Sequence, residues 1–277
     1  MNRNIHTRKI HKLTPENLLA TDDFLAVEEP LEIKIVYGPK ENRISKTISI
    51  TMRTPGEDRE LALGFLFTEG IINQPADILA TESTIPSFLN QNTIEIQLSD
   101  DANPDIHRLD RHFYTTSSCG VCGKSSIDAL KTIRMPKLKA DFPVFDRNVI
   151  LSLPSLLTQL QSVFEKTGGI HASAIFDKSG KLLLLKEDVG RHNALDKIAG
   201  AALQQGLLPL SEQILLVSGR ASFELVQKAA MIGVPLMAAV GAPSSLAAEL
   251  AEEAGITLVG FLNGKRFNIY THPGRIL

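Results

Sequence analysis

The chain has 0 tryptophans, 2 cysteines and 5% aromatic residues in a length of 277. Two cysteines cannot staple a chain of this size, so its core must come from apolar packing. A hydrophobic fraction of 43% is ample for that, in one domain or two, and excludes a disordered chain. No charge is in excess either: 29 Lys+Arg face 31 Asp+Glu, a formal net charge of −2. That balance excludes a nucleic-acid binder held by bulk charge, while a local basic patch stays open. The N-terminus, MNRNIHTRKIHK, is basic, but no apolar run follows it. It therefore reads as a solvated tail and not as a secretory signal. Charge is missing altogether from 229–248, but Gly233, Pro235, Gly241, Pro243, Ser244 and Ser245 interrupt the stretch. A spanning helix needs ~20 continuous, mostly apolar residues, so this is helix end, buried strand, turn and new helix. The expectation is a soluble, cytoplasmic protein without a membrane contact. In a reducing compartment its cysteines are free thiols, a redox pair or metal ligands.

What is present divides the chain. Residues 31–37 read as a strand, and 46–52 alternate so that Ile48, Ile50 and Met52 face one way. Pro55 and Gly56 break that strand; Glu57 and Asp58 then open a helix through Thr68, with Gly70 as its stop. Residues 93–99 alternate again. This half, 1–115, reads as a small α+β domain. Residues 116–147 form a loop, expected to be mobile, that carries both cysteines. From 148 the pattern is regular: a helix over 154–166, strands at 170–176 and 181–186, then alternating helices and strands to a last short strand near 267–270. Helices between strands predict an α/β domain over 148–277, with a largely parallel sheet covered on both faces. Ligands of such sheets sit at the carboxyl ends of the strands. The loops there are 187–191, 218–222, 241–244 and 262–266.

Four segments carry chemistry. In Ser117-Ser118-Cys119-Gly120-Val121-Cys122-Gly123-Lys124 a C-x-x-C is flanked by glycines in a polar loop. Structural zinc needs four ligands, or three plus water. The chain has no second C-x-x-C and no histidine pair at finger spacing, although His107 and His112 are close in sequence. A thioredoxin-like dithiol places its C-x-x-C where a strand feeds a helix, which lowers the thiol pKa; no strong strand precedes Cys119. A mobile thiolate that carries a group between two sites is the third reading, with Lys124 and glycine N–H groups to stabilise it. A zinc deaminase pairs His-x-Glu with a later Pro-Cys-x-x-Cys. Here His171-Ala172-Ser173 has Ser where Glu is needed and follows the cysteines.

The other three segments are anion-friendly loops. Glu187 to Lys197, EDVGRHNALDK, ends a strand and starts a helix, with Arg191 and His192 at the helix N-terminus. Ser218-Gly219-Arg220-Ala221-Ser222 follows a buried strand; Arg220 suits phosphate and Ser222 suits a helix cap. Both also fit plain capping and salt bridges. Phe261-Leu262-Asn263-Gly264-Lys265-Arg266 offers two cations, yet Asn-Gly is also a common hairpin turn. His171, after Gly168-Gly169, fits a structural role as well as a ligand site.

These stretches closely resemble the FdhD/NarQ family, the formate dehydrogenase accessory sulfurtransferases. The resemblance rests on ALGFLFTEGII (62–72), CGVCG (119–123), GGIHASA (168–174), EDVGRHNALDK (187–197), SGRASFELVQKAAMIGVP (218–235), TLVGF (257–261) and YTHP (270–273). It implies a sulfur carrier that takes sulfane sulfur from a cysteine desulfurase as a Cys119 persulfide. Cys122 would be accessory. The acceptor would be the molybdenum cofactor of formate dehydrogenase, in its bis(molybdopterin guanine dinucleotide) form, with no zinc in the protein. The cofactor-binding stretch would be Phe261–Arg266, with Arg191 and Arg220 facing phosphates. The resemblance further implies a homodimer and a cytidine deaminase-like, three-layer C-terminal domain, a kinship of fold only.

Overall fold

The computed structural model describes residues 4–79, 92–102, 104, 138 and 142–277. The basic N-terminus is not a tail. β1 (Ile5–Leu13) pairs antiparallel with β2 (Leu18–Ala26), bringing Arg8 opposite Asp23 and Lys9 opposite Asp22. Charges of opposite sign across a ladder support pairing where apolar alternation is weak, which is why the charge-rich sequence concealed a hairpin. Most of this hairpin is exposed, and β2 packs against the short helix Ser162–Thr167.

β3 (Glu29–Tyr37), β4 (Ile44–Arg53), α1 (Asp58–Thr68) and β5 (Thr93–Gln97) follow, with the sheet ordered β4-β3-β5. Gly70 takes φ 70 just beyond α1, as a helix stop requires. One expectation fails. Ile33 lies opposite Ser49 and Lys34 opposite Thr47, so Ile48 is an extra residue in a β-bulge. A bulge reverses the facing of everything beyond it. Ile48 is therefore buried, while Ile50 and Met52 are 56% and 47% exposed.

The second half begins with α2 (Arg147–Leu160) and α3 (Ser162–Thr167). The helix expected from 154 starts earlier because Asp146 caps it, its side chain accepting from Asn148 N; Pro154 lies inside the helix. Then come β6 (His171–Phe176), β7 (Leu182–Asp188), α4 (Arg191–Gln204), β8 (Ile214–Val217) and α5 (Phe223–Ile232). β9 (Leu236–Ala239), α6 (Ser245–Ala254), β10 (Thr257–Asn263) and β11 (Arg266–Ile269) complete the order. The sheet runs β11-β10-β9-β8-β6-β7. Only β8-β9-β10 is parallel; β6 is antiparallel to both β7 and β8, and β11 to β10. The sheet is thus mixed and not largely parallel. β6 and β7 are joined by the short turn around Gly180, which permits only antiparallel pairing.

Alternate strand residues enter two cores. Ala172, Ala174, Phe176, Leu216 and Ala238 pack with Ile150, Leu153 and Leu157 of α2 on one face. Ile175, Leu215, Val217, Met237 and Leu258 pack with α4, α5 and α6 on the other. That second core continues through Leu61, Leu63 and Leu66 of α1 to Ile33, Ile35 and Ile96. The α1–α4 crossing is tight: a Cβ on Gly64 would stand 1.7 Å from Asp196 O, and one on Gly200 would stand 1.9 Å from Glu60 O. Only glycine lets the two backbones approach so closely.

Candidate functional site

The antiparallel course of β6 brings its first residue to the end of the sheet where the parallel strands finish. His171 pairs with Asp188, the last residue of β7, and Ser173 pairs with Val217, the last of β8. Short backbone bonds stitch the loops there. Gly241 N donates to Gly219 O at 2.9 Å, Ala221 N to Ala242 O at 3.2 Å and Phe261 N to Gly241 O at 3.0 Å. Gly241 is tightly seated: a Cβ there would lie 3.0 Å from Arg220 N and Cα, and the loop would have to give by a few tenths of an ångström. The loops at 187–191, 218–222 and 241–244 and the start of 261–266 therefore meet at one sheet end, as their pattern predicts.

Asp188 fixes the first loop. It is fully buried, and its Oδ1 accepts from Gly190 N at 2.8 Å and Asn193 Nδ2 at 3.0 Å. Its Oδ2 accepts from Thr54 N at 3.2 Å and faces Lys197 Nζ at 2.8 Å. Asn193 also donates to Met52 O at 2.7 Å. The N-terminal sheet thus positions a loop of the C-terminal one. The sequence marked neither Thr54 nor Met52 as part of the site; the only signal was the turn-forming Thr54-Pro55-Gly56 after a strand.

Gly190 and Ser222 are the N-caps of α4 and α5, and neither helix receives a side-chain cap. Ser222, expected to cap, instead places its Oγ 3.3 Å from His192 Nε2. The first turn of α4 thus lacks a cap from its N-cap residue, and at α5 the acidic Glu224 stands in the first turn, where its charge suits the helix dipole. Glu224 Oε2 lies 3.7 Å from the same His192 nitrogen. Burial raises the Glu224 carboxyl. The neighbouring His192, the residue's own backbone N–H and the Ser222 hydroxyl outweigh burial and hold it below its ordinary value. Ser244, by contrast, caps α6 by accepting from Ala247 N at 3.2 Å.

Arg191 is the first residue of α4, and its Nε is buried without a hydrogen-bond partner. Arg220 is exposed beside Gly241. His171 is held below the ordinary histidine range by burial first, and then by the charges of Arg191 and His192, against the smaller pull of Asp188. The stretch Phe261–Arg266 closes the β10–β11 hairpin. Asn263 Oδ1 accepts from Lys265 N at 3.0 Å and Arg266 N at 3.1 Å. Leu262 is buried in the α2 core, whereas Phe261, Lys265 and Arg266 are exposed. Phe261 takes φ 52, a left-handed conformation rare for a bulky side chain. Cys119 and Cys122 lie outside the described residues, as do His107 and His112. Among the described residues no three His, Cys, Asp or Glu side chains converge as metal ligands, and no helix is long and apolar enough to cross a membrane.

A small anion could find donors at the start of α4, where Arg191 has an unfilled donor and Arg220 is exposed nearby on the next loop, while the Glu224 carboxylate already stands in the first turn of α5. Comparison with known proteins agrees with such a fold. A crystal structure of a candidate formate dehydrogenase accessory protein from Desulfotalea psychrophila superposes with a TM-score of 0.76, covering 99% of this chain and 100% of that one. Its identity is 24%, so that likeness speaks of the fold alone. A sulfur carrier protein FdhD from Streptomyces avermitilis is 45% identical over 282 residues, covering 100% of this chain and 97% of the relative. One of the same name from Sulfurisphaera tokodaii is 43% identical over 269 residues, covering 97% of this chain and 98% of the relative. Residues 26–277 match the FdhD/NarQ family. Spanning the three-stranded and six-stranded sheets and every loop of the site, that match shows that the chain belongs to the FdhD/NarQ family.

Proposed function

We propose that this chain is a sulfur carrier in the maturation of formate dehydrogenase. The observation that carries the reading is similarity along nearly the whole chain to relatives named as sulfur carriers. The chemistry needs a reachable thiolate, and the two cysteines of the chain stand together in the glycine-flanked Cys119–Cys122 stretch. In the loading step the Cys119 thiolate attacks the outer sulfur of a cysteine desulfurase persulfide. The donor's S–S bond breaks, its cysteine leaves as thiolate, and Cys119 carries the new persulfide. Cys122 is an accessory thiol.

The sulfur is destined for the molybdenum cofactor in its bis(molybdopterin guanine dinucleotide) form, which this protein handles as substrate. Its phosphates would lie at the start of α4, against Arg191 and Arg220. Phe261, Lys265 and Arg266 would present an aromatic face and two cations beside them, with Leu262, Asn263 and Gly264 shaping the hairpin. The strand order β7-β6-β8-β9-β10, with β6 antiparallel to β8, supports a cytidine deaminase-like core for this site. Without the glutamate and ligand set of a deaminase, that core binds and does not deaminate. The setting is cytoplasmic, the working unit a homodimer, and no nucleic acid or structural zinc is involved.

Intact mass tests the reading. Wild type, Cys119→Ala and Cys122→Ala are incubated with an active cysteine desulfurase and cysteine. One added sulfur on wild type and Cys122→Ala, absent from Cys119→Ala, is the expected result. No added sulfur on wild type overturns the carrier role and leaves a chaperone that only escorts cofactor.

A further inference from the structure

The β1–β2 hairpin has no core of its own. All of β2 except Ala26 is exposed, and in β1 only Ile5 and Ile10 are half-buried. An isolated two-stranded hairpin is marginal in water and needs a covered face. Each strand is nine residues long, so the arm reaches about 30 Å. Its tip is built and not frayed: Thr14 N donates to Asn17 O at 2.9 Å, and Asn17 N to Thr14 Oγ1 at 3.2 Å. Yet that tip is apolar. Leu13, Leu18 and Leu19 are 78%, 62% and 52% exposed. Beside them Lys12 has Leu19 opposite and no acid, whereas Arg8 and Lys9 lie opposite Asp23 and Asp22.

A second bare apolar surface lies on the body of the chain. The bulge at Ile48 turns Ile50 and Met52 outward, with Glu32 and Pro30 opposite them on the same face. Lys34 pairs with Glu32 at 3.3 Å, and Glu95 adds a further carboxylate from β5, so carboxylates outnumber cations there. Ile50 and Met52 are exposed in a single copy, as is the arm's tip, so an arm does not cover its own β4.

We propose that the hairpin is an exchange arm. In a dimer its tip docks on the outer face of β3 and β4 of a second copy, with Leu18 and Leu19 on that copy's Ile50 and Met52 and Lys12 toward its Glu32 and Glu95. The inference rests on the homodimer reading above and supplies its interface. Arm and receiving face are different surfaces of one chain, so two copies exchange them about a two-fold axis and neither surface is left bare. The charges opposed within the arm leave little to attract a polyanion, while the one unopposed lysine at the tip suits the acidic face of a second copy. The contact adjoins the anion site, because Thr51 Oγ1 donates to Asn193 Oδ1 at 3.2 Å and Asn193 Nδ2 to Met52 O at 2.7 Å. The arm is also tied to its own site. Glu187, next to Asp188, accepts from Val163 N at 3.2 Å and Phe164 N at 3.1 Å at the start of α3, and β2 rests on α3. Each arm thus leans on its own site loop and lands beside the other.

Sedimentation equilibrium of the full chain tests the proposal, with circular dichroism to check the fold of each variant. Leu18→Glu/Leu19→Glu alters the arm, and Ile50→Lys/Met52→Lys alters the receiving face; all four positions are exposed, so the fold tolerates the changes. Each variant alone should dimerise about 100-fold more weakly, the scale of two apolar side chains losing their cover. Mixed in equal amounts, the two variants should form a dimer of nearly wild-type affinity, because one contact is then native and the other joins Glu to Lys. A wild type that stays monomeric overturns the homodimer reading and this inference together. A dimer that neither variant weakens overturns the arm and leaves the homodimer standing. Weakening in one variant only, or without recovery in the mixture, overturns the docking of this arm on this face.

Discussion

Asp188 and Lys197 form an ion pair at 2.8 Å with side chains 0% and 1% exposed. It is the buried joint at which β7, α4 and the end of β4 meet, since Lys197 Nζ also donates to Thr54 O at 3.1 Å. Breaking one partner strands the other as an uncompensated buried charge. Lys197→Met is expected to lower unfolding free energy by roughly 3–5 kcal/mol, measured by urea denaturation. Adding Asp188→Asn should recover part of the loss, because the pair's own net contribution is far smaller than the cost of breaking it.

The α1–α4 crossing yields a sharper contrast between glycines. Gly200→Ala drives a methyl into Glu60 O, a backbone atom that cannot step aside. A loss of roughly 3 kcal/mol is expected, at the upper end for overpacking. Gly264→Ala, with nothing within 4 Å of the new Cβ, should stay within about 0.5 kcal/mol of wild type. Thermal unfolding of the two variants side by side checks both.

Acid should weaken the site end through Glu224. Its folded carboxyl lies below the ordinary value of 4.5. A group depressed on folding contributes stability that is fully present above its unfolded value and is lost as pH falls through the folded one. Stability measured from pH 6 downward should therefore drop in wild type, and Glu224→Gln should flatten that acid limb. An unchanged slope in the variant would remove Glu224 from the account.

Arg191 offers a directed donor and not simply a charge. Arg191→Ala is expected to weaken guanosine diphosphate binding by roughly 10–100-fold, the scale of one hydrogen bond to a charged group. Arg191→Lys should restore little, because a point charge does not reproduce the planar fork. Calorimetric titration measures both, and full affinity in Arg191→Lys would show that charge alone suffices.

The second half of the chain was legible because its strands are short and apolar and its helices carry clear starts and stops. β6 and β7 fall within a residue or two of the expected 170–176 and 181–186, and β11 within a residue of the expected 267–270. The errors have local physical causes. Ile50 and Met52 alternate as a buried face should, but the bulge at Ile48 turns them outward, and no pattern in β4 alone marks a bulge that depends on β3. The β1–β2 hairpin escaped because its pairing rests on charges read as solvated. At the site, the glycines and cations announced an anion-friendly sheet end. Thr54 and Met52 did not, because their backbone atoms do the work and any residue supplies those. Ser222 looked like a cap and serves His192 instead, a choice made by a neighbour thirty positions away in sequence.

The tight crossing of α1 on α4 also sets a timetable for the newborn chain. α1 ends at Thr68, but the helix that receives it runs from Arg191 to Gln204. Translation proceeds at roughly 5–20 residues per second, so Leu61, Leu63 and Leu66 wait on the order of ten seconds for their cover. During that interval the early strands hold an apolar helix with no permanent seat, and the nascent protein offers itself to any hydrophobic partner near the ribosome exit.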